Sequence, residues 1–388
     1  MGSTLPLVKR FCNEGYTVDI YYVKNRIYEP EATECCFTAI QYGLTHVPQE
    51  SLSKIHKYIG SNRLNIYLVK LARPYSSVPL LRILMKEIIG LQIRLIAREI
   101  NKRNYDLVNV VANYDMDHFV HFIRHIHNRT ILSLHEVWNH AKPNPIPSPL
   151  LNEAIITYKD IVVFSKNNLH SIQCINGIDP NTIHYIPFGK FESYTTLEEK
   201  APVEPLPEKF LLFYGYILPY KGLDILVNAL NLMGDELKDY RIVIAGKGED
   251  PVMKQIIDDE RFILINHFIP NRELVYLLKR AHAVVCPYKT MSQSGIPQTA
   301  FVFNTPVIAS DLNGFREIID KDNGLLFKAN DPHSLSQILK AYITTNQLYG
   351  QLTENIKKFE EIHPSFNWNN IIKSYRQFLH STPRNNPH

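Results

Sequence analysis

Three short stretches of this chain carry side chains able to hold a phosphate or handle a proton. In Phe213-Tyr214-Gly215-Tyr216-Ile217-Leu218-Pro219-Tyr220-Lys221-Gly222-Leu223-Asp224 an apolar run ends, the chain turns, and Lys221 stands where a helix begins. A cation in that place shares an anion with the free N–H groups of the helix start. In the second stretch, His282-Ala283-Val284-Val285-Cys286 stops at Pro287 and Ser292-Gln293-Ser294-Gly295-Ile296 forms a polar turn. Pro297 then suits a first helical turn, and Thr305-Pro306-Val307-Ile308-Ala309-Ser310 opens another strand. The third, Leu132-Ser133-Leu134-His135-Glu136-Val137, releases an imidazole and a carboxylate from the end of an apolar run. Those are the groups that proton transfer or substrate positioning needs.

Two further strand ends feed turns. Ile242 to Ala245 runs into Gly246-Lys247-Gly248, and Phe262 to Ile265 closes on Asn266-His267-Phe268-Ile269-Pro270. Glycine serves such turns sterically as well as by letting a ligand approach, and the spacing leaves both readings open. His118, His121 and His125 fall at helical i, i+3, i+7 positions. No carboxylate pattern supports them, so a helix face is expected and no metal.

The elements that must carry these groups alternate strand and helix. Strands are expected at 16–23, 64–69, 105–112, 130–137, 160–165 and 182–187, with a long helix from Leu80 to Arg103. Periodicity lapses between Lys190 and Lys209, where Ala201-Pro202-Val203-Glu204-Pro205-Leu206-Pro207 reads as a linker. Alternation resumes with strands at 210–214, 241–245, 262–265, 283–286 and 305–309, and with helices from Gly222, Pro251, Asn271 and Pro297. Two parallel-sheet α/β domains follow, Rossmann-like and facing a central cleft.

Composition narrows the partners. With 388 residues, 45% of them hydrophobic and 21% charged, the chain has ample material for two cores. A net charge of +4 without like-charge runs or aromatic-basic interleaving gives no reason to expect nucleic acid. Five scattered cysteines lack C-x-x-C spacing, which suits a reducing, cytosolic protein without a disulfide framework or zinc site. No apolar stretch reaches membrane-spanning length, so any membrane contact is expected to be peripheral, on the inner face. The helix Leu80–Arg103 bears Arg82, Lys86, Arg94, Arg98, Lys102 and Arg103 among Leu, Ile and Met. It reads as core-packed with a charged outer face, a rest on anionic lipid being the alternative.

The segment Cys286–Ser310 resembles the donor-sugar segment of retaining, nucleotide-sugar-dependent glycosyltransferases of family 4, in the form that carries S-Q-S-G. Gly215, Lys221 and Gly222 match the family's G-R-x-x-x-x-K-G-x-D, and Asp311 to Phe327 resembles its closing part. The resemblance implies a GT-B fold: an acceptor domain 1–190, a linker 191–208, a donor domain 209–364 and a C-terminal helix 365–382 crossing back to the first domain. It implies transfer of a hexosyl unit from a nucleoside-diphosphate sugar to a glycan or lipid-linked acceptor, in surface polysaccharide synthesis, with no cofactor or metal. Donor contacts would come from Gly2, Gly215, Tyr216, Lys221, Gly246, Lys247, His267, Phe268, Ile269, Ser292, Gln293, Ser294, Gly295, Ile296 and Thr299. His135 would act at the reacting centre, with Glu136 steering the acceptor and His118 a shifted second candidate.

Departures from the family pattern motivate rivals. Tyr216 replaces an arginine, and Met291 and Thr299 replace two glutamates. A non-catalytic GT-B partner or glycan-binding protein is the rival from another class, and a sugar-nucleotide epimerase the rival among enzymes. The family also begins with a strand before the turn that Met1 to Phe11 matches. Either the start lies upstream or another segment takes the central place in the sheet. The first is expected, because a missing central strand leaves bare ladder groups on both neighbours.

Overall fold

The computed structural model describes residues 4–23, 43–71, 79–112, 124–137, 152–155, 158, 160–175, 177–237, 239–291, 293–345 and 347–380. The chain divides into two compact units, Met1–Pro187 with Trp368–His388, and Phe188–Asn367.

The second unit is built on a parallel sheet whose strands are β8 (Phe210–Tyr214), β9 (Arg241–Ala245), β10 (Phe262–Ile265), β11 (Ala283–Cys286), β12 (Val307–Ser310) and β13 (Gly324–Phe327). Their order is β10-β9-β8-β11-β12-β13. These strands read as unbroken apolar runs because both faces are covered. Leu211, Phe213, Ile242 and Ile244 meet the helices Leu223–Met233 and Pro332–Thr344 on one side. Phe210, Leu212, Val243 and Ala245 meet the helix Asn271–Arg280 on the other. The helix expected from Pro251 is a short 3₁₀ turn, Pro251–Gln255. Asp250 caps it at Val252 N (3.0 Å), and Asp259, gathered by the Arg261 side chain and backbone, directs the chain into β10. Residues 191–208 fall within this unit: Tyr194 packs on its core, and Glu198 and Glu199 pair with Arg272 and Arg280 at 3.3 and 2.6 Å.

The first unit holds two sheets. One orders β1 (Val18–Val23), β3 (Leu64–Lys70) and β2 (Gly43–His46) as β1-β3-β2, with β1 parallel and β2 antiparallel to β3. The other is parallel and runs β4 (Val108–Ala112), β5 (Thr130–Leu134), β6 (Ile161–Val163), β7 (Ile183–Tyr185). The C-terminal helix Trp368–His380 belongs to this unit, burying Trp368 and joining Arg376 to Glu14 at 2.9 Å.

The helix Pro79–Asn101 packs Ile89, Ile93, Ile96, Ala97 and Ile100 into a core with Val69 and Leu71. Its outer face departs from the expected charged one: Leu80, Leu84, Leu91 and Leu95 are exposed there. Isoleucine and leucine fill both sides of this helix, so periodicity alone does not separate buried from exposed. Among the described residues no helix is long and apolar enough to cross a membrane.

Candidate functional site

In the second unit β8 connects to β9 on one side and pairs with β11 on the other. This is the topological switch point, outside which open α/β sheets hold their ligands. The turn after β8 and the turn after β11 therefore face each other. Lys289 N donates to Tyr220 O across them at 2.8 Å.

Lys221 ends a 3₁₀ turn, Pro219–Lys221, and is 9% exposed. Gly215 makes room for it: at φ +100° a side chain is strained, and a Cβ there would sit 2.6 Å from Lys221 Nζ. The ammonium lies 5.4 Å from the centre of the Tyr288 ring. Burial lowers its pKa to about 8, because no carboxylate among the described residues pairs with it. Burial also pushes the Cys286 thiol up to about 12 and the Tyr288 hydroxyl well above its ordinary value, so both neighbours are neutral. A buried cation without a counter-charge is a costly arrangement that an anion relieves.

The turn after β11 presents amides. Gln293 and Gln298 each hold a buried Oε1 with no hydrogen-bond partner among the described residues. Ser294 Oγ accepts from Ile296 N at 3.3 Å. Gly295 packs so tightly on Phe191 that a Cβ would meet the ring at 2.8 Å. Thr299 faces inward. Its hydroxyl donates to Gly295 O at 2.8 Å, so it holds the turn.

The remaining strand ends add surface. A Cβ on Gly246 would lie 1.9 Å from Gly215 O, so its glycine is required by backbone approach. Lys247 is exposed. His267 Nε2 lies 3.2 Å from the buried Glu273, and Ile269 is half-buried. Phe268 and Tyr216 are 44% and 54% exposed, with ring centres 6.4 Å apart.

In the first unit His135 follows β5, half-buried, its ring 5.0 Å from that of Phe164 and its carbonyl accepting from Asn168 Nδ2 at 2.9 Å. Burial lowers its pKa to about 4, leaving a neutral imidazole at pH 7. Glu136 beside it is half-buried. Gly2, His118 and Ser292 lie outside the described residues.

Sequence reasoning passed over Lys289, Tyr288 and Phe191. Lys289 Nζ pairs with Asp224 Oδ2 at 2.7 Å, and its only signal was a basic residue just past an apolar strand. Tyr288 and Phe191 carry no pattern of their own and emerge from packing alone.

A solved glycosyltransferase from Rickettsia africae superposes with a TM-score of 0.66, covering 98% of this chain and 95% of that one at 16% identity. The fold is GT-B. A second GT-B structure, Anabaena HepE in complex with UDP, gives 0.61 over 84% of this chain and 89% of that one, at 13% identity. Residues 195–359, inside the second unit, match the family model of glycosyl transferases group 1. An uncharacterized glycosyltransferase of Methanocaldococcus jannaschii is 28% identical over 177 residues, 43% of this chain and 47% of that protein. The chain spans about half the length of the first curated relatives it matches.

Proposed function

We propose that this chain is a retaining glycosyltransferase of family 4 that moves a sugar from a nucleoside-diphosphate sugar to a glycan or lipid-linked acceptor. The observation that carries this reading is Lys221, a buried ammonium with no carboxylate partner among the described residues, at the switch point of a parallel sheet. A diphosphate supplies the missing counter-charge, and the helix Leu223–Met233 starts beside it. As the bond from the anomeric carbon to the diphosphate breaks, negative charge grows on the leaving oxygen. The ammonium stabilises that charge more than the ground state, which is the condition for a faster step.

The polar turn Gln293–Gly295 and the unpartnered Oε1 of Gln298 suit sugar hydroxyls, with amides in place of carboxylates. Tyr216 and Phe268 give a nucleobase an aromatic surface where the family pattern has an arginine. Neutral His135 hydrogen-bonds the sugar or the acceptor hydroxyl. UDP in the similar HepE structure accords with a nucleoside diphosphate here.

The test is a panel of nucleoside-diphosphate sugars with mixed glycan and lipid-linked acceptors. Nucleoside-diphosphate release and the configuration of the new linkage are both read. Transfer with retained configuration is expected. Tight donor binding without release from any donor would instead make the chain a non-catalytic binder, and sugar isomerisation without transfer an epimerase.

A further inference from the structure

The helix Pro79–Asn101 has a second apolar face that its own core does not use. Leu80, Leu84, Leu91 and Leu95 are 78%, 55%, 56% and 53% exposed, with Ile83 and Ile88 beside them at 61% and 38%. At 3.6 residues per turn those four leucines fall within about 60° of one another, opposite the buried isoleucines. Arg98 and Lys102 continue the same line over the next two turns, and Arg94 flanks it. Together with Asn101, His125 and His127 these three basic residues line a shallow groove of about 500 Å³. Between residues 79 and 103 the sequence holds six basic residues against Glu87 and Glu99, a surplus equal to the +4 of the whole chain.

An apolar line ending in a basic groove selects among occupants. A second copy laid parallel would set basic end on basic end, and one laid antiparallel would set basic end on leucine. An anionic bilayer meets both parts, with acyl chains for the leucines and phosphates for the groove. We propose that this helix rests on an anionic lipid surface, Leu80, Leu84, Leu91 and Leu95 entering the acyl boundary and Arg94 and Arg98 taking lipid phosphates, while Lys102 is paired with Glu99 at 2.6 Å. The surface is independent of the switch-point site.

The experiment sediments the full chain with vesicles of phosphatidylcholine alone and of phosphatidylcholine mixed with phosphatidylglycerol. The chain is expected on the mixed vesicles, at least about tenfold more than on the neutral ones, with the excess falling as salt rises. Leu84→Asp with Leu91→Asp lowers the partition at least about tenfold, and Arg94→Glu with Arg98→Glu removes the preference for anionic lipid. These side chains are exposed; Leu84→Asn with Leu91→Asn repeats the loss at unchanged melting temperature. The proposal is overturned if the chain stays in the supernatant with both vesicles, or if the leucine variants sediment like the parent. A dimer split by Leu84→Asp would also overturn it, assigning the face to a second copy.

Discussion

Asp224 gives its carboxylate to Lys289, whose Nζ lies 2.7 Å from Oδ2, and not to Lys221, its close neighbour in sequence. The pair ties the turn after β11 to the first turn of the helix that follows β8. It also consumes the local negative charge. Lys289 thus takes the one carboxylate, and the buried Lys221 keeps its charge uncompensated among the described residues.

Lys221→Ala is expected to weaken nucleoside-diphosphate binding by ~1.5–3 kcal/mol, the range for a charge-assisted hydrogen bond. The melting temperature stays level or rises, since the change deletes a cation that burial disfavours. Calorimetry with UDP and GDP on the folded variant checks this, and parent-like affinity would remove Lys221 from the site.

The lysine also sets a pH signature. Its pKa is about 8 when folded against an ordinary 10.5, so between these values the folded state binds fewer protons than the unfolded one. Stability without ligand therefore rises with pH across that window. Binding runs the other way, because a diphosphate selects the ammonium. Affinity should be level just below pH 8 and fall above it, by up to about tenfold per unit. Titrations of binding and of denaturant unfolding from pH 7 to 10 read both slopes, and Lys221→Ala should flatten each.

His135→Ala should lower turnover by about 10²-fold or more while nucleoside-diphosphate affinity stays near that of the parent. Burial holds the folded imidazole near 4 against an ordinary 6.5. The contribution to stability is thus whole above 6.5 and is lost as pH falls toward 4, a loss the variant lacks. Single-turnover rates and urea midpoints at pH 5 and 7 separate the two effects. A folded variant with full turnover would place the reacting group elsewhere.

Gly215→Ala and Gly43→Ala make a matched pair. Both glycines have φ near +100°, yet a Cβ at Gly215 meets Lys221 Nζ and one at Gly43 meets nothing within 4 Å. Each substitution should cost about 1–2 kcal/mol in backbone strain. Only Gly215→Ala should also weaken nucleoside-diphosphate binding, by displacing the ammonium. Equal affinities in the two variants would show that Gly215 serves the turn alone.

Much of the second unit could be read from its residues because its strands are buried on both faces. Phe210–Tyr214, Arg241–Ala245, Phe262–Ile265 and Ala283–Cys286 appear with the bounds expected from their apolar runs. Strand Gly43–His46 escaped notice: its residues are half-buried or exposed, and among the described residues it pairs at one edge alone. Lys221 could be placed by its turn alone, whereas its lack of a carboxylate depends on Lys289, far along the chain. No local pattern encodes that pairing. The same holds for the buried Thr299, whose hydroxyl already donates to Gly295 O.

The pairing of β8 with β11 also bears on how the molecule acquires its site. Leu211 reaches its partner Ile242 after one helix, but reaches Ala283 only after two more strands and another helix have been laid down. Contacts of such long sequence separation form late, because loop closure must be met before they reward it. Lys221 and Tyr288 become neighbours only through that late closure. A nascent or partly refolded chain can hold β8 and β9 and still lack any seat for an anion. Recovery of nucleotide binding after dilution from denaturant should accordingly trail the return of helical signal, and time the completion of the sheet.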